Sequence, residues 1–209
     1  MKSAGFAAAC LVSTVALAGC ASMSKEECLT VDWRTVGYED GAAGRSGEAI
    51  GQRRKACAAA GITPDLDAYR AGRAAGLREY CQPEHGYRLG AAGGRYGGYC
   101  AADLAPAFTQ AYEAGRELHA REYRVRQADE RLAAMHRELD GIEHRMTAAG
   151  FEAISSTSTS EQRAQALLEA EQLAQRQERL ATDIDQLERD RHRYEHELQD
   201  YRTQMAYAN

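Results

Sequence analysis

Apolar residues recur every seven positions over two long stretches of this chain, and that period commits its C-terminal half to paired helices. In the first stretch Leu118, Val125, Leu132, Leu139 and Met146 hold one heptad position, with Arg121, Ala128, Met135, Ile142 and Ala149 three residues on. In the second, Leu173, Leu180, Leu187, Tyr194 and Tyr201 alternate with Gln177, Ile184, Arg191, Leu198 and Met205. The arms are of similar length, and between them lies a break rich in Ser and Thr, so the simplest closure is an antiparallel coiled-coil hairpin. Each arm of some 44 residues would reach about 65 Å at 1.5 Å per residue. Gly150 reads as the C-cap of the first arm and Ser158-x-x-Glu161 as a capping box opening the second, which places the tip at about residues 150–160. Pro106 sits where the first helix should begin.

Arg121, Gln177 and Arg191 interrupt the apolar seam. Polar seam residues specify register or oligomeric state at a cost in stability. Either a third helix then covers part of this surface or the hairpin is marginal, and a homodimer forming a four-helix bundle is one hypothesis for the cover. Phe151 and Ile154 at the tip are expected to plug the end of the seam, with contact to a partner as their second reading.

Ahead of the hairpin the composition changes. Residues 20–103 hold 14 of the 19 Gly, with 11 basic and 11 acidic residues, whereas residues 104–209 hold three Gly, no Cys, 14 Arg and 20 acidic residues. The division therefore falls near Asp103, between a small Gly/Tyr-rich domain and the charged helical hairpin. A mean hydropathy of -0.58, with three Phe and one Trp, leaves little material for a deep apolar pocket.

The first 19 residues carry one Lys, an apolar run from Ala4 to Ala18 and small residues before Cys20, the plan of a signal peptide. Leu17-Ala18-Gly19-Cys20 resembles the lipobox of bacterial lipoproteins. That resemblance implies a diacylglyceryl group on the Cys20 thiol, palmitate among its acyl chains, and a mature chain that starts at Cys20. With Ala21-Ser22 following instead of Asp, it also implies an anchor in the cell outer membrane, facing the periplasm. With Cys10 and Cys20 assigned, Cys28, Cys57, Cys81 and Cys100 remain for an oxidising compartment. Two disulfides follow, with three connectivities open, and the neighbour pairs Cys28 with Cys57 and Cys81 with Cys100 are the expected ones. No two of these Cys lie two to four residues apart, as a structural zinc site would require.

Tyr-x-x-Gly occurs at Tyr38, Tyr69, Tyr87 and Tyr112, an offset that places both residues on one helical face. Gly and Ala let a second backbone approach, with the Tyr ring beside the groove so opened. The intervals of 31, 18 and 25 residues are irregular, which reads as a reused packing device and not a repeat array. The ordered set Cys28, Asp32-Trp33, Gly37-Tyr38, Asp40-Gly41, Gly44, Cys57, Pro64-Asp65, Tyr69, Gly72, Gly76-Leu77, Tyr80-Cys81, Gly90, Gly93, Tyr96 and Cys100 resembles a family of proteobacterial cell-envelope lipoproteins with a domain of unknown function, over roughly residues 28–120. The resemblance implies no chemistry and no catalytic residues.

Other readings compete. Trp33, Tyr96 and Tyr99 are candidates for an aromatic platform that binds a cell-wall glycan or small ligand, although core packing explains them better. His192-Arg193-Tyr194-Glu195-His196 matches the His-x-x-Glu-His of inverted zinc proteases. Tyr194 in the seam turns both His outward, so a zinc hydrolase is the weakest alternative and no metal or other cofactor is expected. Arg residues interleave with Asp and Glu, so no basic stripe for nucleic acid emerges. The expectation is a mainly α chain: a signal peptide over residues 1–19, a disulfide-stapled Gly/Tyr-rich helical domain over 20–103, and the hairpin over 104–209. Its expected role is that of a structural or adaptor component without catalysis, held to the membrane by Cys20 and meeting a protein partner or its own copy through the coiled coil.

Overall fold

In the computed structural model, which describes residues 23 to 208, every regular element among the described residues is helical. The expected signal peptide and lipid site at Cys20 lie outside these residues. The chain divides into two compact units, one ending at Tyr80 and the other beginning at Cys81.

The first unit holds α1 (Lys25–Thr30), α2 (Trp33–Ala42), α3 (Ala49–Ala59) and α4 (Leu66–Tyr80). Local chemistry opens three of them. Ser24 and Glu27 exchange side-chain-to-backbone hydrogen bonds in a capping box at α1. Asp32 accepts from the Arg34 amide at 3.0 Å ahead of α2, and Asp65 accepts from the Ala68 amide at 2.9 Å ahead of α4. The Gly residues then decide the packing. A Cβ on Gly37 or Gly41 of α2 would fall on the carbonyl oxygens of Tyr69 and Arg73, and one on Gly72 or Gly76 of α4 on those of Arg34 and Tyr38. Residue numbers rise together along this contact, so α2 and α4 run parallel with their backbones touching. Cys28, Trp33, Cys57 and Tyr69 form the core beside it, and Cys28 is bonded to Cys57.

The second unit holds α5 (Pro83–Ala91), α6 (Ala105–Ile154) and α7 (Ser160–Ala208), with Cys81 bonded to Cys100. Its opening repeats the first unit's device. Gly86 and Gly90 of α5 lie against the carbonyls of Phe108 and Tyr112, and Gly115 of α6 against that of Tyr87, again in parallel. Each first helix carries Gly-Tyr-x-x-Gly-Ala-Ala-Gly, at 37–44 and 86–93. Each also ends in a Schellman turn with its last Gly in the left-handed region, Gly44 at φ 64° and Gly93 at φ 72°. The second helices share Cys-x11-Tyr-x-x-Gly-Arg, from Cys57 and from Cys100. The Tyr/Gly motif is thus one parallel helix pair used twice, which corrects its reading as irregular.

The boundary expected after Asp103 also moves. Because α5 packs on the first turns of α6, the second disulfide belongs to the same unit as the hairpin. Each disulfide closes a loop in the unfolded chain, with sequence separations of 29 and 19 residues. By loop-closure entropy each stabilises its unit by roughly 3 to 4 kcal/mol. Replacing Cys28 and Cys57 together with Ser is expected to lower the denaturant midpoint of the first unit by a matching amount. Fluorescence of Trp33, the only Trp in the chain, would record it; an unchanged midpoint would refute it.

Beyond Leu118 the two long helices form the antiparallel hairpin. Leu132, Ile142, Leu173, Leu180 and Ile184 make its buried core, all at the heptad positions read from sequence. Arg145 pairs with Glu169 at 2.7 Å, Arg176 with Glu138 at 2.7 Å, Arg191 with Asp129 at 2.5 Å, Arg124 with Glu197 at 2.9 Å and Arg202 with Glu122 at 2.7 Å. Exposed pairs of this kind contribute about 0.2 to 1 kcal/mol each, so their main effect is to fix register. Two of the seam's polar residues make contacts across it. Arg191 reaches Asp129, and the Arg121 guanidinium lies 4.4 Å from the Tyr201 ring centre.

The tip differs from expectation. The first arm does not stop at Gly150 but runs through it to Ile154, with Ser155 as C-cap. The second opens on Thr159 and Gln162: Thr159 Oγ1 accepts from the Gln162 amide at 3.2 Å, and Gln162 Oε1 accepts from the Thr159 amide at 2.7 Å. Ser158, the expected cap, instead donates its hydroxyl to Glu152 at 2.6 Å.

Candidate functional site

Three places carry unusual chemistry. The first is Asp40, fully buried on α2. Its Oδ1 accepts from Arg45 at 3.0 Å and from Arg53 Nη2 at 3.1 Å, and its Oδ2 accepts from Arg53 Nη1 and from the Tyr69 hydroxyl at 2.9 Å. Burial alone would push this carboxyl up, but the bonds from Arg53 and Tyr69 and the two guanidinium charges hold it below the usual carboxylate range. Burial, and then the bond to Asp40, push the Tyr69 phenol up to about 12. Four donors occupy both oxygens, so the carboxylate has no lone pair aimed at a substrate. The cluster clamps α2, α3 and α4 together.

The second is the set of expected ligand residues. Trp33 is 7% exposed within the core of the first unit and presents no free stacking face. Tyr96, in the second unit, packs 4.7 Å from Phe108 and 5.8 Å from Tyr112 between ring centres, and its hydroxyl accepts from the Cys100 amide at 3.1 Å. Tyr99 is half-buried in the same loop, its ring over Gly97. The packing thus explains Trp33 as core and Tyr96 as a half-buried residue packed on the core residues Phe108 and Tyr112. On α7, His192 and His196 are exposed, and His192 Nδ1 lies 3.3 Å from Glu195 Oε2. No group of three or more metal-ligating side chains converges among the described residues.

The third is the end of the hairpin. Phe151 is 68% exposed and Ile154 80%, so neither plugs the seam. The first turns of α7 add Leu167 at 62% and Leu168 at 60%. Between the arms here runs an open groove, floored by Ala149 and Ala166 and flanked by Leu168 and Glu152. Small residues explain it. Where the middle of the seam buries Leu and Ile, Ala leaves the interhelical space unfilled. Among the described residues, Tyr123 is the one large apolar side chain exposed elsewhere on the arms, so a lengthwise four-helix bundle has no apolar stripe to bury. Leu167 and Leu168 were not singled out from sequence, although two adjacent Leu straddling a seam of Ala166 and Leu173 are a readable surplus.

No helix among the described residues is long and apolar enough to cross a membrane. No curated protein and no solved structure matches the chain. The family model that matches is described as "Protein of unknown function (DUF2799)" and covers residues 32–117, from the first turn of the first unit's parallel pair to just past Gly115 in the second. The Gly contacts of both helix pairs therefore fall within the segment that matches this domain of unknown function, and the long helical hairpin extends beyond it.

Proposed function

We propose that this chain is a proteobacterial outer-membrane lipoprotein facing the periplasm, anchored by acyl chains on Cys20, and that it serves as a structural or adaptor component whose hairpin meets a protein partner. The observation that carries the adaptor reading is the distribution of apolar surface. Long polar arms, locked in register by cross-arm ion pairs, end in four exposed large apolar side chains. Large apolar side chains left exposed at one end of an otherwise polar hairpin point to an interaction site there. The lipobox-like Leu17-Ala18-Gly19-Cys20 supports the anchor, and two disulfides support an oxidising compartment.

Metabolic labelling with radioactive palmitate is expected to mark the wild-type chain and to be lost in Cys20→Ala; label on both or on neither would refute the anchor. Photo-crosslinking in living cells, with the probe at Phe151 and a control at the mid-arm residue Glu130, is expected to give a discrete protein adduct from Phe151 alone. Absence of any adduct, or equal adducts from both positions, would overturn the adaptor role.

A further inference from the structure

We propose that the hairpin tip receives a basic amphipathic helix of a partner protein, an inference that rests on the adaptor reading and names the chemistry of its partner. The groove between the arm ends is floored by Ala149 and Ala166, and small floors let a third backbone come close. Two antiparallel helices with an unfilled groove rimmed by Leu168, and with Phe151 and Ile154 exposed on the last turn of the first arm, form two thirds of a three-helix bundle. A helix whose leucine-like face enters the groove completes it, in the helix-in-groove mode.

Charge selects among occupants. Residues 143–172 hold five carboxylates and two guanidinium groups. Both guanidinium groups are engaged: Arg145 with Glu169 at 2.7 Å, and Arg163 with the carbonyl oxygens of Ser155 at 3.2 Å and Ser158 at 2.5 Å. Among the described residues, Glu152, which lines the groove, and Glu143, Glu161 and Glu171 elsewhere at the arm ends form no ion pair, and all four are exposed. A second copy docking tip to tip would bring like charge together, as would an anionic bilayer, whereas Lys or Arg flanking the apolar face of an incoming helix pairs with these carboxylates.

The test uses the full chain in phosphatidylcholine nanodiscs and two fluorescein-labelled peptides of about 18 residues, or five helical turns. One has leucine on one face and lysine on the other, and its counterpart has glutamate for lysine. Fluorescence anisotropy is expected to show micromolar binding of the lysine peptide and none of the glutamate peptide or of empty discs. The variant Phe151→Ser/Ile154→Ser/Leu168→Ser changes no charge and is expected to weaken binding about tenfold or more. Tyr123→Ser, the control on the arm, is expected to leave it unchanged. Because the three tip side chains are mostly exposed, an unaltered circular dichroism melt checks that the variant folds.

Equal binding by wild type and tip variant would overturn the proposal, since the peptide would then be reading net acidity alone. Tip-dependent dimerisation, or flotation with phosphatidylglycerol vesicles, in the absence of peptide binding would also overturn it, in favour of a second copy or a lipid surface. A discrete protein adduct from Phe151 in cells without peptide binding would remove the basic helix and leave the adaptor reading standing; loss of the cellular adduct as well would remove both.

Discussion

Asp40→Ala is expected to destabilise the first unit by about 3 to 5 kcal/mol, the usual result of removing one member of a buried ion pair. The loss comes from what remains. Arg53 and the buried Tyr69 hydroxyl face the vacated site, and each then lacks its acceptor in a place water reaches poorly. Domain stabilities lie at about 5 to 15 kcal/mol, so a unit of this size would keep little margin. Denaturant unfolding followed by Trp33 fluorescence isolates this unit, because the hairpin contains no Trp, and the helical circular dichroism of α6 and α7 serves as the internal control. Asp40→Asn, which keeps one acceptor oxygen, should fall between wild type and Ala. A shift below about 1 kcal/mol for the Ala variant would show that the cluster is not the clamp its geometry implies.

The same cluster fixes the sign of the pH dependence. The folded Asp40 carboxyl lies below its ordinary value of about 3.9, so its contribution is present above that pH and is lost as pH falls through the depressed folded value. Tyr69 acts at the other end. Its folded value of about 12 lies above the ordinary 10, so neutral Tyr69 stabilises the fold fully below pH 10 and that contribution is lost as pH rises toward 12. The Trp33-monitored midpoint should therefore be flat near neutrality and fall at both extremes, and Asp40→Asn should flatten the acid limb.

How much of this could be read from the chain depended on whether the interaction lay within one period. The hairpin was legible because a two-helix seam imposes its own spacing, and Leu132, Ile142, Leu173, Leu180 and Ile184 are buried where the heptad put them. Arg53 was not legible. It belongs to no local pattern, and it meets Asp40, 13 residues away, only after α3 has folded over α2. At the tip two capping boxes overlapped in sequence, Ser158 with Glu161 and Thr159 with Gln162, and the choice fell to Glu152, which captures the Ser158 hydroxyl from the other arm. Gly150 did not end the first arm: it stays out of the left-handed conformation of a C-cap, and a Gly inside a helix costs only about 1 kcal/mol. The duplicated helix pair was hidden by counting all four Tyr in order. Tyr38 and Tyr87 belong to first helices and Tyr69 and Tyr112 to second helices, so the repeat appears only when alternate members are compared. Trp33, a candidate for the aromatic platform, is buried for a different reason: in a unit this small it is needed for the core.

That duplication leads to the second large expected effect, which comes from adding a single methyl group. Gly72→Ala should destabilise the first unit by about 3 kcal/mol or more, at the upper end of overpacking penalties, because the new Cβ meets the Arg34 carbonyl and the backbone at Tyr38 rather than a side chain that can rotate away. Gly115→Ala should act alike in the second unit, where the Cβ falls on the Tyr87 carbonyl and 2.7 Å from the Ala91 nitrogen. Gly150 and Gly141 supply the opposite sign. Both are exposed on α6, neither Cβ would have a neighbour within 4 Å, and Ala is the better helix former, so each substitution should stabilise the hairpin by about 0.5 to 1 kcal/mol. Chemically identical substitutions thus differ in sign according to whether a second backbone lies against the residue, and paired thermal melts of Gly72→Ala, Gly115→Ala, Gly141→Ala and Gly150→Ala read that difference directly. If Gly72→Ala and Gly115→Ala were neutral, the helices of each pair would stand further apart than backbone contact, and the Gly-Tyr-x-x-Gly-Ala-Ala-Gly motif would need another cause. Destabilisation confined to these two, with Trp33 reporting the first and hairpin circular dichroism the second, would establish that the DUF2799 segment consists of one close-packed parallel pair built twice.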